Sequence, residues 1–169
     1  MKRMNRMYKA VLALSLVMLP SAAMALDAVM TGNKTTNDIV VSSSTQWTNL
    51  LSTYATIPPG QVFKCAVTCS STVNNPLVNT YNQYYYAASN LTGASLSTQD
   101  GCVRKFTTPR PGTQPGDTGT PTKMSISDTC YVPNVSGTKG FFCQARKYVS
   151  GIPNLVIEDS SMHVVCTDY

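Results

Sequence analysis

Gln61-Val-Phe-Lys-Cys-Ala-Val-Thr-Cys-Ser-Ser71 decides the fold of this chain. Phe63, Cys65, Val67 and Cys69 share one parity, and Lys64, Thr68 and Ser70 share the other. Successive side chains of a strand point to opposite faces, so a period of two is the pattern of a half-buried β-strand. Both cysteines of this stretch therefore face the core. Working outward, no window after Ala25 repeats apolar residues at i, i+3, i+4 and i+7 over three turns, so long helices are not expected. Residues 47–54 are the most ambiguous stretch. The chain is rich in Ser, Thr, Asn, Val and Tyr, and Gly or Pro stands at most apparent boundaries, as strands and turns require.

The same reading places strands at residues 38–44, 46–57, 61–71, 81–89, 101–107, 123–132, 140–149, 154–158 and 160–169. Residues 109–121 carry no apolar side chain other than proline and read as a long exposed Pro/Gly loop. Short strands spaced by turn signals predict an all-β fold, an antiparallel β-sandwich with jelly-roll or Greek-key connections. The expected organisation is a signal peptide at 1–25, a mobile N-terminal arm at 26–37 and a single sandwich domain at 38–169.

The leader is read from its order of parts. Lys2, Arg3, Arg6 and Lys9 precede an apolar segment at residues 10–19, and Ala23-Met24-Ala25 is a small-x-small cleavage site. That segment is shorter than the roughly 20 residues a spanning helix needs, and no second run of that length follows, so no membrane span is expected after removal of the leader. The expected location is exported, either periplasmic or extracellular at the cell surface, in an oxidising compartment. Four of the 13 Lys and Arg leave with the leader, so nine remain against eight Asp and Glu. Arg104-Lys105 and Arg146-Lys147 are isolated pairs without a basic stripe around them, and nucleic acid is not an expected partner.

The six cysteines, Cys65, Cys69, Cys102, Cys130, Cys143 and Cys166, contain no Cys-x-x-Cys pair, and His163 is the single histidine. Zinc and redox catalysis are both disfavoured by that spacing. Three disulfides are expected, with 15 connectivities open to six thiols. Parity puts Cys143 on the face of Phe141 and Ala145, and Cys166 on the face of Met162 and Val164. Two bridges within the sandwich follow for these two and Cys65 and Cys69, and by elimination Cys102 pairs with Cys130, tethering the Pro/Gly loop.

Catalytic constellations are thin. Ser161 and His163 share a strand face, but side by side on a flat strand they lack an oxyanion site and a nucleophile elbow. Glu158 and Asp159 are adjacent and project to opposite faces, while Asp100, Asp117 and Asp128 read as turn residues. The chain is expected to have no catalytic residues, no metal and no cofactor.

Surface recognition is the remaining class. Tyr81, Tyr84, Tyr85 and Tyr86 stand among Asn79, Asn82, Gln83 and Asn90, a mix of rings and amides suited to sugars or proteins. Alternation separates Tyr84 and Tyr86, read as core, from Tyr85. Tyr81 and Tyr85 are the candidate ligand-binding residues, and Trp47 is read as a core anchor.

Residues 137–148, from Gly137-Thr-Lys-Gly-Phe-Phe-Cys-Gln-Ala145 to Tyr148, lead through a turn at 151–154 into Leu155-Val-Ile-Glu-Asp-Ser-Ser-Met-His-Val-Val165. This resembles the closing strands of jelly-roll sandwiches in secreted and phage-fibre proteins, where G-x-x-x-F-x-x-Q-A runs into I-x-D-S-S-L-x-V. The resemblance implies a sandwich that displays surfaces or assembles with its neighbours. Gln144-Ala-Arg-Lys-Tyr148 and the end at Tyr169 are also similar to chaperone-usher pilus subunits, which implies assembly by strand addition through an N-terminal arm. The function expected is a non-enzymatic structural or adhesive surface module. The alternatives are a carbohydrate-binding module and a fibre or pilus subunit, with a surface glycan, a protein or a second copy of the chain as partner.

Overall fold

The computed structural model describes residues 28–74, 82–98, 102–108 and 123–168. The expected leader at 1–25 and the expected Pro/Gly loop at 109–121 lie outside them. The described residues contain nine strands and no helix: β1 (Ala28–Thr35), β2 (Ile39–Val41), β3 (Thr48–Thr56), β4 (Phe63–Asn74), β5 (Asn82–Ser89), β6 (Val103–Thr108), β7 (Lys123–Val135), β8 (Thr138–Lys147) and β9 (Leu155–Asp168). Sheet I has the order β1-β9-β4-β7, with β2 also on β9, and sheet II the order β3-β8-β5-β6. All pairs are antiparallel. From β2 onward, every connection except β5 to β6 crosses from one sheet to the other.

The alternation that begins at Phe63 continues to the end of β4, where Phe63, Cys65, Val67, Cys69, Ser71 and Val73 are all buried. Inward residues of the two sheets form one apolar cluster, with Phe63, Val67, Phe141, Leu155, Met162 and Val164 among its members. Burying each such side chain contributes about 1.5–3 kcal/mol. One polar link crosses the core. The Ser71 hydroxyl on β4 lies 2.8 Å from the Tyr86 hydroxyl on β5 and 2.7 Å from that of Ser160 on β9. Burial pushes the Tyr86 phenol up to about 12, so it stays neutral and able to donate.

Residues 28–35 correct the expectation of a mobile arm. They form β1, paired with β9 from Ala28 opposite Thr167 to Thr35 opposite Ser160. Its apolar residues alternate poorly because β1 is an edge strand only half buried, so the ladder and not a hydrophobic face holds it. At the same edge the Thr31 and Thr53 hydroxyls meet at 2.9 Å, and the Asn33 amide donates to the Ser52 carbonyl at 3.0 Å, tying β1 to β3 of the other sheet.

Three irregularities account for places where simple parity misleads. In β9, Thr72 faces Asp159 but Val73 faces Ile157, so one extra residue bulges out at Glu158. Inward parity then changes from Leu155 and Ile157 to Ser160, Met162, Val164 and Cys166, and the two runs expected at 154–158 and 160–169 are one strand. In β3 a register shift between Asn49 and Leu51 turns both Leu50 and Leu51 inward, which removes the alternation from this stretch. In β7, Phe63 pairs with Val135 and Cys65 with Val132, leaving a bulge at Pro133 and Asn134, where Asn134 has φ 55°. Proline is tolerated there because the strand is at an edge and the bulge needs no ladder donor.

All six cysteines are paired, as Cys65–Cys166, Cys69–Cys143 and Cys102–Cys130. The first staples two residues that already face each other on β4 and β9. The second crosses between the sheets with Cα atoms 5.8 Å apart, against a usual sheet separation of about 10 Å. The third joins the start of β6 to the middle of β7, the edge strands of the two sheets, and Arg104 Nε beside it reaches Asp128 Oδ1 at 2.6 Å. One open side of the sandwich is thus closed by a covalent and an ionic tie in succession.

Asp128 corrects the turn assignment. It lies in the middle of β7 on the inward parity, only 4 % exposed, and its Oδ2 has no hydrogen-bond partner. Burial raises its carboxyl above the ordinary value near 3.8, outweighing the Arg104 guanidinium and the Thr129 and Ala88 backbone, which pull it down. Between the unfolded and the higher folded value, the native protein holds a proton that the unfolded chain has released. Stability from this group therefore falls as pH rises through that window. Asp128→Asn cannot titrate, and Glu158, whose carboxyl Lys123 lowers, is common to both proteins. The midpoint of the wild type relative to Asp128→Asn is expected to fall as pH rises from below 3.8 through the carboxylate range. A pH-independent difference in denaturant midpoints refutes the assignment.

Candidate functional site

The outer face of sheet II is built from the residues that β5, β6 and β8 turn away from the core. Tyr85 pairs in register with Lys105 on β6 and with Arg146 on β8. Trp47, just before β3, stands beyond Arg146, because Thr48 pairs with Ala145. A row of alternating cation and ring, Lys105, Tyr85, Arg146 and Trp47, thus runs across four strands. Adjacent strands lie about 4.8 Å apart, which is why the rings and cations stack.

The geometry bears this out. The Arg146 guanidinium carbon is 5.2 Å from the centroid of Trp47 and 5.2 Å from that of Tyr85, so the cation rests against both rings. Trp47 and Tyr85 centroids are 6.3 Å apart and tilted by 49°. Tyr148 extends the group, 5.5 Å from Tyr85, with the Lys105 ammonium 3.8 Å above its ring. The Tyr148 backbone N–H donates to the Gln83 carbonyl at 3.1 Å, holding the end of β8 against β5. Cation–ring contacts of this kind are worth about 0.5–2 kcal/mol, more as they lose water. Tyr148 is 40 % exposed, Tyr85, Trp47 and Arg146 are half-buried, and Arg146 Nε is buried without a hydrogen-bond partner.

Residues 90–98 fold back over one flank of this face. The Gln144 amide donates to the Leu91 carbonyl at 2.9 Å, and Trp47 Nε1 donates to the Leu96 carbonyl at 3.1 Å. Gly93 makes the approach possible, since a Cβ there would sit 2.9 Å from Trp47 Cβ and 3.2 Å from Gln144 Oε1. The loop fixes the indole while leaving the Tyr85 and Tyr148 side open.

Of the residues singled out in the sequence, Tyr85 lies at the centre of this array, and Tyr81 lies outside the described residues. Tyr84 and Tyr86 are in the core, and burial pushes the Tyr84 phenol, which donates to the Pro153 carbonyl at 3.0 Å, up to about 12. Trp47 is corrected from a core anchor to a surface ring, because it precedes the bulge of β3 and takes the outward side. Lys105, Arg146 and Tyr148 were not expected at a site. Their signal was present as two separate Arg-Lys pairs, which come together with Tyr85 only through strand register.

The outer face of sheet I is different. His163 is exposed there, opposite Gly32 and Thr68, with Ser161 two residues away on the same strand. A hollow of about 460 Å³ beside it is lined by Lys34, Asp159 and the hydroxyls of Ser70, Thr72, Ser125 and Ser161. It offers hydroxyls and one charge of each sign but no ring. Among the described residues, no group of three His, Cys, Asp or Glu could hold a metal ion, and no helix is long and apolar enough to cross a membrane. Comparison of the chain with protein-family models and with curated proteins finds no match to either.

Proposed function

We propose that the chain is an exported, non-enzymatic β-sandwich of jelly-roll winding that acts as an adhesive surface module, and that it binds saccharide on the outer face of sheet II. The observation that carries this reading is the array of Trp47, Arg146, Tyr85, Tyr148 and Lys105 on rigid strands. Rings present apolar faces to the C–H side of a pyranose, and the neighbouring cations supply donors for its hydroxyls. The jelly-roll part is supported by the two strand orders, with β1 and β2 as halves of one edge strand and repeated crossings between the sheets. Three disulfides are compatible with an oxidising, exported setting.

The non-enzymatic part rests on the flatness of the Ser161–His163 face. A base that takes a hydroxyl proton stands within hydrogen-bond reach of it, and no hydrogen bond joins the Ser161 and His163 side chains. Assembly by strand addition is the weaker reading, because β1 and β2 of the same chain already occupy the edge of β9.

The test is binding of the oxidised protein to an immobilised set of neutral and acidic glycans, followed by titration calorimetry on those retained. Tyr85→Ala is expected to weaken binding about tenfold or more, with an unchanged circular dichroism spectrum. A set on which nothing is retained, or a Tyr85→Ala protein that binds as well as wild type, overturns the reading.

A further inference from the structure

We infer that the saccharide taken by this face is an acidic one, a pyranose bearing a carboxylate, and that the guanidinium edge of Arg146 is its anchor; this rests on the saccharide reading above. The first observation is the segregation of charge. Strands β3, β5, β6 and β8 contain no Asp or Glu, yet they carry Arg104, Lys105, Lys139, Arg146 and Lys147. Every acidic residue among the described residues, Asp38, Asp128, Glu158, Asp159 and Asp168, lies on sheet I or between β1 and β2. Arg104 is engaged by Asp128, and Lys147 donates to Asn154 at 3.3 Å. Arg146 and Lys105 have no carboxylate within ion-pair distance among the described residues, and both flank Tyr85 in register.

The second observation is how Arg146 is held. The Trp47 and Tyr85 centroids each lie 5.2 Å from the guanidinium carbon and only 6.3 Å from each other, so both rings brace the cation from one side. Its Nε is buried and unpartnered, so the donors a ligand can meet are the two terminal Nη groups, which lie in the guanidinium plane. A planar fork of donors fixed in orientation matches a carboxylate bidentately, where an ammonium would meet it as a point charge. The rings have already restricted the side chain, so little rotamer freedom is lost on binding. The half-buried Tyr85 and the 40 % exposed Tyr148 beside it offer ring surface to a sugar, and Lys105 adds a second positive charge at the far side of Tyr85. A neutral sugar would use the rings and leave both cations uncompensated.

The experiment is calorimetric titration of the full oxidised protein with oligogalacturonate, its methyl ester, sialyllactose and lactose, with oligothymidylate as a polyanion lacking a pyranose. The expected result is that the acid binds at least tenfold more tightly than its ester or desialylated counterpart. Retention of oligogalacturonate alone identifies a uronic acid as the source of the carboxylate, and retention of sialyllactose alone a sialic acid. Arg146→Lys keeps the charge and removes the fork, and it is expected to lose about tenfold for the acid. Lys105→Gln, at an exposed position that leaves the ring stack in place, is expected to lose a smaller factor that vanishes at high salt. Equal binding of acid and ester, or retention of neutral glycans alone, overturns the acidic assignment while the saccharide reading stands. Oligothymidylate bound as tightly as the sugar acid overturns it in favour of a general polyanion surface. Full affinity in Arg146→Lys with native stability removes Arg146 as the anchor, and absence of binding to any glycan removes the saccharide reading itself.

Discussion

Replacing Cys69 and Cys143 together by alanine is expected to lower the unfolding free energy by about 4 kcal/mol. The bridge closes a sequence separation of 74 residues, so its loss frees a large part of the unfolded chain. In the folded state it is the bridge that joins the middles of the two sheets, whereas Cys65–Cys166 joins strands already hydrogen-bonded and Cys102–Cys130 closes an edge. Both cysteines are fully buried, so the alanines also leave unfilled space between β4 and β8. On chain entropy alone, Cys65→Ala with Cys166→Ala should cost slightly more, because its separation is 101 residues. The inter-sheet position predicts the reverse order. Guanidinium unfolding of both double variants under non-reducing conditions decides between them. A loss for the Cys69/Cys143 pair under about 1 kcal/mol would falsify the role of the bridge as the central brace.

Phe141→Ala is expected to cost about 3–5 kcal/mol, against a total of about 5–15 kcal/mol for a domain of ordinary stability. Phe141 is fully buried on the inner face of β8, where Cys143 is the next inward residue. Its neighbour Phe142 takes the opposite face, half-buried, where a Cβ on Gly140 would stand 3.2 Å from the ring. Phe142→Ala opens to water and should cost less than half as much, because no closed cavity forms. The comparison isolates the face on which the side chain lies, since the two residues are adjacent on one strand and identical in type. Equal losses in the two variants, read from chemical denaturation, would mean that the sheet does not divide inside from outside at this point.

These two expectations rest on a feature that was legible in the chain. Alternation around Phe63 and around Phe141 assigns faces correctly, and with the faces come four inward cysteines and the pairing of Cys102 with Cys130. Legibility fails where a strand changes parity. The bulge at Glu158 splits β9 into two apparent runs, and the register shift after Asn49 hides β3 behind consecutive buried leucines. A bulge is one extra residue against a partner strand, and a single strand holds no record of its partner. Asp128 was missed for a related reason. Aspartate reads as a turn residue unless the neighbouring strand end supplies a cation, and Arg104 does so from a different sheet.

The candidate site divides in the same way. Tyr85 was visible because alternation sets it apart from Tyr84 and Tyr86. Arg146, Lys105, Trp47 and Tyr148 lie far from it in sequence, and each alone is an ordinary surface residue.

What the sequence by itself determined was local and periodic: an all-β chain, the face each strand buries, and thiols pointing inward in pairs. Those follow from the two-residue period of a strand and from the preference of apolar side chains to leave water. The tertiary structure decided the rest: which strands are neighbours, that residues 28–35 close an edge of their own sheet, and that a row of rings and cations crosses sheet II with no carboxylate among its strands. Register between strands is set by the summed burial of both sheets and by the disulfides that lock them. No single stretch of the chain encodes that sum, so the face it creates appears only when the strands are laid side by side.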